Sequence, residues 1–102
     1  MEPKKSFNEL IANPNLPVLV DFHATWCGPC QALAPVISDV AKEFGEKLKV
    51  IKIDVDKNPA VSQQFRVRGV PTLILFKGGE IKWQQSGMMT KRDLSAILTK
   101  FL

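Results

Sequence analysis

Apolar residues in this chain fall into short runs and helical stripes, with proline and glycine standing where the spacing changes. Phe7 to Ala12 reads as a first helix: Ser6 is placed to cap it, Glu9 occupies the capping-box position, and Pro14 and Pro17 close the stretch behind it. So short a helix depends on packing. Pro17 to Phe22 is apolar on both faces apart from Asp21, the signature of a central strand covered on each side. A long helix is expected from about Cys27 to Phe44, where Leu33, Val36, Ile37, Val40, Ala41 and Phe44 recur at three and four and Gly45 ends the run. Pro35 removes a backbone donor inside it, at about 3 kcal/mol in a regular helix, so a kink is expected between Gln31 and Pro35.

Leu48 to Ile53 reads as the next strand, and Asn58-Pro59 as N-cap and first position of a brief helix to about Gln64. Thr72 to Phe76 and Glu80 to Gln85, joined through Gly78-Gly79, form an antiparallel hairpin. Thr90 and Asp93 form a capping box for a last helix whose buried stripe is Leu94, Ile97, Leu98 and Phe101. Helix, strand, helix, strand, helix, hairpin and helix in that order predict an α/β fold, with a mixed sheet covered by helices on both faces.

Composition narrows this further. At 102 residues, 45% hydrophobic and 24% charged, the chain is the size of one globular domain, and residues 1–102 are read as that domain. Fourteen Lys and Arg against ten Asp and Glu give +4 at pH 7, but the basic residues are spread from Lys4 to Lys100. An even spread favours solubility over a nucleic-acid groove. No apolar segment follows Met1 to Lys5 and none approaches a bilayer span, so the expectation is a soluble, cytoplasmic, monomeric protein.

Cytoplasmic proteins rarely hold structural disulfides, and the two cysteines of this chain lie three apart, in Trp26-Cys27-Gly28-Pro29-Cys30 between a strand and a helix. A helix N-terminus offers unpaired N–H groups and partial positive charge, which favours thiolate at Cys27. Residues so spaced on a helix also lie close enough for a disulfide. Cys27 is therefore expected to attack a substrate disulfide, and Cys30, one turn deeper and less exposed, to resolve the mixed disulfide. Asp21, on a strand apolar on both faces, is costly when ionised, so its pKa rises and it can exchange protons near neutrality; the alternative is that it only caps the loop.

Val20-Asp21-Phe22, Trp26-Cys27-Gly28-Pro29-Cys30, Val70-Pro71-Thr72 and Gly87 together resemble the thioredoxin family over nearly the whole chain. The resemblance implies a thioredoxin fold and a general protein-disulfide reductase with a redox-active centre for electron transport. It implies no bound cofactor, since NADPH is used indirectly through a thioredoxin reductase, and its partners would be that reductase and disulfide-containing client proteins. Asp21 resembles the buried carboxylate that relays a proton to Cys30, and Lys52 its charged neighbour on the adjacent strand, although a lysine there can equally be a plain surface residue. Pro71 resembles the family's cis-proline, facing the disulfide and leaving Val70 free to pair with an extended client. Gly28 and Pro29 lie between the cysteines, and Trp26, Val70, Pro71, Gly87 and Met88 would surround them as an apolar docking patch.

Three departures from the family pattern stand out. Met1 to Lys5 is a poor strand, so four strands are expected where the family has five, leaving Leu48 to Ile53 as a sheet edge able to pair with another chain. His23 replaces the usual tryptophan, a change able to tune pH dependence or only to alter packing, and Gln31 replaces a basic residue. Zinc is disfavoured because His23, Cys27 and Cys30 have no fourth ligand, and protease chemistry because His23 is a poor base for either cysteine. Asp54 to Asn58 imitates a calcium loop, but Pro59 and Phe65 stand where glycine and glutamate are required, and these acids are expected to flank the short helix. Two other functions stay open, a disulfide oxidase or isomerase and a binding module whose redox turnover is incidental. Gly28-Pro29 favours the reductase.

Overall fold

The computed structural model describes residues 6–102, and the expectation about Met1 to Lys5 lies outside them. Among the described residues one sheet has four strands: β1 (Val18–His23), β2 (Lys49–Asp54), β3 (Thr72–Lys77) and β4 (Glu80–Ser86), in the order β2-β1-β3-β4. β1 pairs parallel with β2 and antiparallel with β3, and β3 pairs antiparallel with β4, so the sheet is mixed. The first two strands begin and end one residue later than the hydrophobic runs suggested, because a run marks burial and pairing marks the strand. Both central strands, β1 and β3, are buried along five of their six residues. That is what their apolar composition on both faces requires.

Alternation along β1 divides the core in two. Leu19 faces α2 (Gly28–Phe44) and α4 (Lys91–Thr99) and packs with Leu33, Ile37, Val40, Leu94 and Leu98. Val18, Val20 and Phe22 face the other way, toward Ile11 of α1 (Phe7–Ile11) and, after α3 (Pro59–Gln64), Phe65. Phe7 gives the five-residue α1 its anchor by packing against the rings of Phe22, Phe65 and Phe76, the nearest centroid 5.5 Å away at Phe65. In the last helix the expected stripe is graded: Leu94 and Leu98 are buried, while Ile97 and Phe101 cover the cluster from its rim.

Local signals account for the ends of these elements. Ser6 Oγ accepts from the Glu9 N–H at 3.2 Å and Thr90 Oγ1 from the Asp93 N–H at 3.1 Å, satisfying donors that open α1 and α4. Gly78 and Gly79 turn the hairpin with φ of 61° and 80°, a combination that two side-chain-bearing residues would resist. Their N–H groups also donate to Asn13 O and Ile11 O, tying the hairpin to the end of α1. Asn58 holds the N-cap position of α3, but its side chain does not cap; its amide donates back to Asp54 O at 3.0 Å. α2 continues through Pro35 to Phe44, and a short 3-10 turn, Gly45–Lys47, leads into β2.

Candidate active site

β1 delivers the chain to the sheet's end at His23, and Ala24 to Trp26 carry it into α2. Cys27 is the N-cap of that helix, in extended conformation (φ −90°, ψ 110°), and its Sγ accepts from the Cys30 N–H at 3.1 Å. A sulfur thus takes the place usually held by a serine or aspartate oxygen at a helix start. Pro29 fits the first turn because an N–H there has no intrahelical partner to lose. Cys27 and Cys30 form a disulfide, with Cα atoms 5.2 Å apart. The expectation that Cys30 is the less exposed of the two is not met: Cys27 is 4% and Cys30 7% accessible. Val55 and Val70 pack against the cluster that Cys27 and Cys30 form with Ala24.

Val70 and Pro71 approach from the loop before β3. Cys27 Sγ lies 3.7 Å from Val70 O, the Val70–Pro71 bond is cis, and Pro71 is buried. Gly87 donates its N–H to Pro71 O at 2.9 Å from a backbone with φ of 95°, a conformation that favours glycine. Trp26 is 70% exposed, and its indole N–H donates to Asp56 Oδ2 at 2.8 Å. Trp26, Val55, Val67, Arg68, Gly69 and Val70 line a small groove of about 90 Å³ beside the disulfide. Gly28, Pro29, Gly87 and Met88 are exposed, and none of them lines that groove. Sequence reasoning missed Asp56, since 30 residues separate it from Trp26 and only the fold joins them.

Asp21 sits on the other side of the cysteines, 3% exposed, and its Oδ1 has no hydrogen-bond partner. It therefore does not cap the loop. Burial pushes its carboxyl above the ordinary carboxylate range, against the opposing charges of His23 and Lys52. A cavity of about 350 Å³ brings Asp21, His23, Cys30, Gln31 and Lys52 together. Lys52 is the register partner of Asp21 on β2 and is exposed, so it is both a surface residue and a neighbour of the carboxylate. Gln31 donates its amide to Thr25 O at 3.2 Å and so holds the loop that carries Trp26.

Among the described residues no group of three or more His, Cys, Asp or Glu is arranged to hold a metal ion, and no helix is long and apolar enough to cross a membrane. A paired-cysteine site at a helix N-terminus, on a mixed sheet with a buried acid behind it, defines a thiol-disulfide oxidoreductase. Residues 1–100 match the thioredoxin family. The chain is 42% identical over 97 residues to a thioredoxin of Pyropia yezoensis and to thioredoxin 1 of a Nostoc species, covering 95% of this chain and 91% of each relative. It is 41% identical over 96 residues to a thioredoxin of Haemophilus influenzae, covering 94% of this chain and 90% of that protein. The chain belongs to the thioredoxin family, and it is an enzyme of the protein-disulfide reductase type.

Proposed function

We propose that this chain, acting as one domain over residues 1–102, reduces disulfides in client proteins through Cys27 and Cys30 and is returned to the dithiol by a thioredoxin reductase. The observation that carries this reading is the hydrogen bond from the Cys30 N–H to Cys27 Sγ at the start of α2. A backbone donor and the positive end of a helix both favour negative charge on that sulfur. The Cys27 thiolate attacks the client disulfide, forming a mixed disulfide and releasing one client thiolate. Cys30 then loses its proton to Asp21, and its thiolate attacks Cys27 Sγ. The bond from Cys27 to the client breaks, the second client thiolate leaves and takes up a proton, and the Cys27–Cys30 disulfide remains.

Trp26, Val70 and Pro71, with Gly28, Pro29, Gly87 and Met88 around them, form the surface on which an extended client segment lies. Lys52 lowers the cost of charge on Asp21. The protein works as a cytoplasmic monomer with no bound cofactor; electrons from NADPH reach it only through the reductase. Exposed Lys49 and Lys52 on β2, the sheet edge among the described residues, support the monomer, because edge lysines oppose pairing with another sheet.

The Cys30→Ser variant tests the sequence of steps: it should accumulate stable mixed disulfides between Cys27 and client proteins. The reduction potential tests the direction of flow. A value near roughly −270 mV, which is the family's and not one read from this chain, supports the reductant. A value near roughly −180 to −120 mV, typical of disulfide-forming proteins, overturns it in favour of an oxidase or isomerase.

A further inference from the structure

His23 follows Asp21 by two residues on β1, and strand side chains repeat every second residue, so both belong to the face that packs on α2. Both line the cavity that reaches Cys30. At a rise of about 3.3 Å per residue, their Cα atoms stand roughly 7 Å apart, a separation that a single bridging water spans between two side chains. The cavity, about 350 Å³, has room for such water, whose share of liquid volume is about 30 Å³. Asp21 is buried, with an oxygen that no protein group satisfies, whereas His23, on the same cavity, is half-buried. Asp21 is 3% exposed, so protons reach it through this cavity, on which the half-buried imidazole of His23 also stands.

The other groups around the cavity are poorer carriers. From β2 Lys52, the register partner of Asp21, lines the cavity, and Asp54, the register partner of His23, lies beside it on the strand without lining the cavity. Lys52 offers donors only, and Asp54 Oδ1 is engaged by the N–H groups of Asp56 and Lys57. From α2 come Cys30, which is the group being served, and Gln31, whose amide is held by Thr25 O and does not titrate. An imidazole takes a proton on one nitrogen and gives one up from the other, and it is the side-chain type that does so in the neutral range.

We infer that His23 carries protons between Asp21 and solvent, and thereby sets how fast Cys30 is deprotonated when the mixed disulfide is resolved. This rests on the reading of Asp21 as the base for Cys30. His23 acts through Asp21 and does not touch the sulfurs. During resolution the proton passes from Cys30 to Asp21, through water to one nitrogen of His23, and from the other to solvent. When the disulfide is reduced again, the same groups return a proton to Cys30 in the opposite direction.

The test is the two-phase release of thionitrobenzoate when the reduced full-length protein meets the aromatic disulfide of that thiol: the first phase reports Cys27, the second Cys30. In His23→Ala and His23→Gln the first phase should be unchanged. The second should slow on the order of tenfold near neutral pH, less than the roughly hundredfold or more of direct proton-transfer catalysis because water still relays slowly. Free imidazole should restore the second phase in His23→Ala; pyrazole, equal in shape but a far weaker base, should not. An unchanged second phase in both variants, or equal rescue by pyrazole, overturns the inference. Asp21→Asn separates it from the reading beneath: if that variant slows the second phase while both His23 variants do not, only the role of His23 falls. If Asp21→Asn leaves the second phase unchanged, both fall.

Discussion

Asp21 is the residue whose chemistry and stability pull against each other. Burial raises its pKa above the unfolded value, so its contribution to stability is fully present below the unfolded pKa and is lost as pH rises through the folded one. Above the folded pKa the native state therefore carries a buried charge that desolvation disfavours, only partly offset by His23 and Lys52. Asp21→Asn should be more stable than the parent there, by about 1 to 3 kcal/mol, the cost of an unsatisfied buried group. The advantage should shrink as pH falls below the folded pKa, where both side chains are neutral, and urea unfolding along a pH series from alkaline to acid measures both. A constant difference across that range would mean that packing, not charge, separates the two proteins. This conflict was legible in the sequence, because an acid on a strand apolar on both faces is costly when ionised, although loop capping stood beside it as the alternative. The exposure of the two cysteines was not, since it depends on Val55 and Val70, which arrive from other elements. Asp56 was hidden for the same reason. Its bond to the Trp26 indole lies at the surface and should contribute about 1 kcal/mol or less to stability. Its effect should appear in docking: with Trp83 of β4, the chain's other tryptophan, replaced by Phe so that Trp26 alone reports, Asp56→Ala should lower the fluorescence anisotropy of Trp26 and raise KM for a protein client severalfold. Reactivity toward a small disulfide should not change, and an equal loss there would place the effect of Asp56 on the thiols instead.

At the scale of elements, caps and turns were read more reliably than boundaries. Ser6, Thr90 and Gly78-Gly79 work through chemistry confined to a few residues, so the sequence contains all the partners involved. Asn58 shows the limit: it occupies the expected cap position, yet the turn built on Asp54 claims its amide. The most informative miss follows α3. Arg66 has φ of 55°, in the left-handed region where a side chain costs roughly 1 to 2 kcal/mol, and nothing in the run Phe65-Arg66-Val67 announces it. The position is fixed by the fold, since Val67 N–H donates to Ser62 O and Arg66 N–H to Gln63 O, which forces the chain to reverse after the helix. Arg66→Gly should thus raise stability by about 1 kcal/mol, the relief of strain being partly offset by the greater freedom of glycine in the unfolded chain. Thermal unfolding of the oxidised protein checks this, and a lower midpoint would show that the arginine side chain makes a contact worth more than the strain.

For the whole molecule, folding and redox chemistry are linked through one thermodynamic cycle. The fold brings Cys27 and Cys30 to a Cα separation of 5.2 Å, so the native dithiol has little chain entropy left to lose when the disulfide forms. The unfolded chain must lose it. For a loop this short the chain-entropy relation gives roughly 2 kcal/mol, so the oxidised protein should be the more stable form by about that amount. Around the cycle, the same difference makes the native couple more reducing than the unfolded one by about 40 mV, since roughly 30 mV corresponds to 1.4 kcal/mol for two electrons. Any preference of the native state for the Cys27 thiolate works in the opposite direction, because it stabilises the reduced form at the helix N-terminus. Two measurements therefore constrain each other: urea unfolding of the oxidised and reduced proteins, and the reduction potential in buffer and in concentrated urea. The oxidised form should unfold at higher urea, and its extra stability in kcal/mol should equal the drop in potential between unfolded and native couples. A reduced form of equal or greater stability would show that thiolate stabilisation outweighs preorganisation, and the native site would then be poised to oxidise its partners.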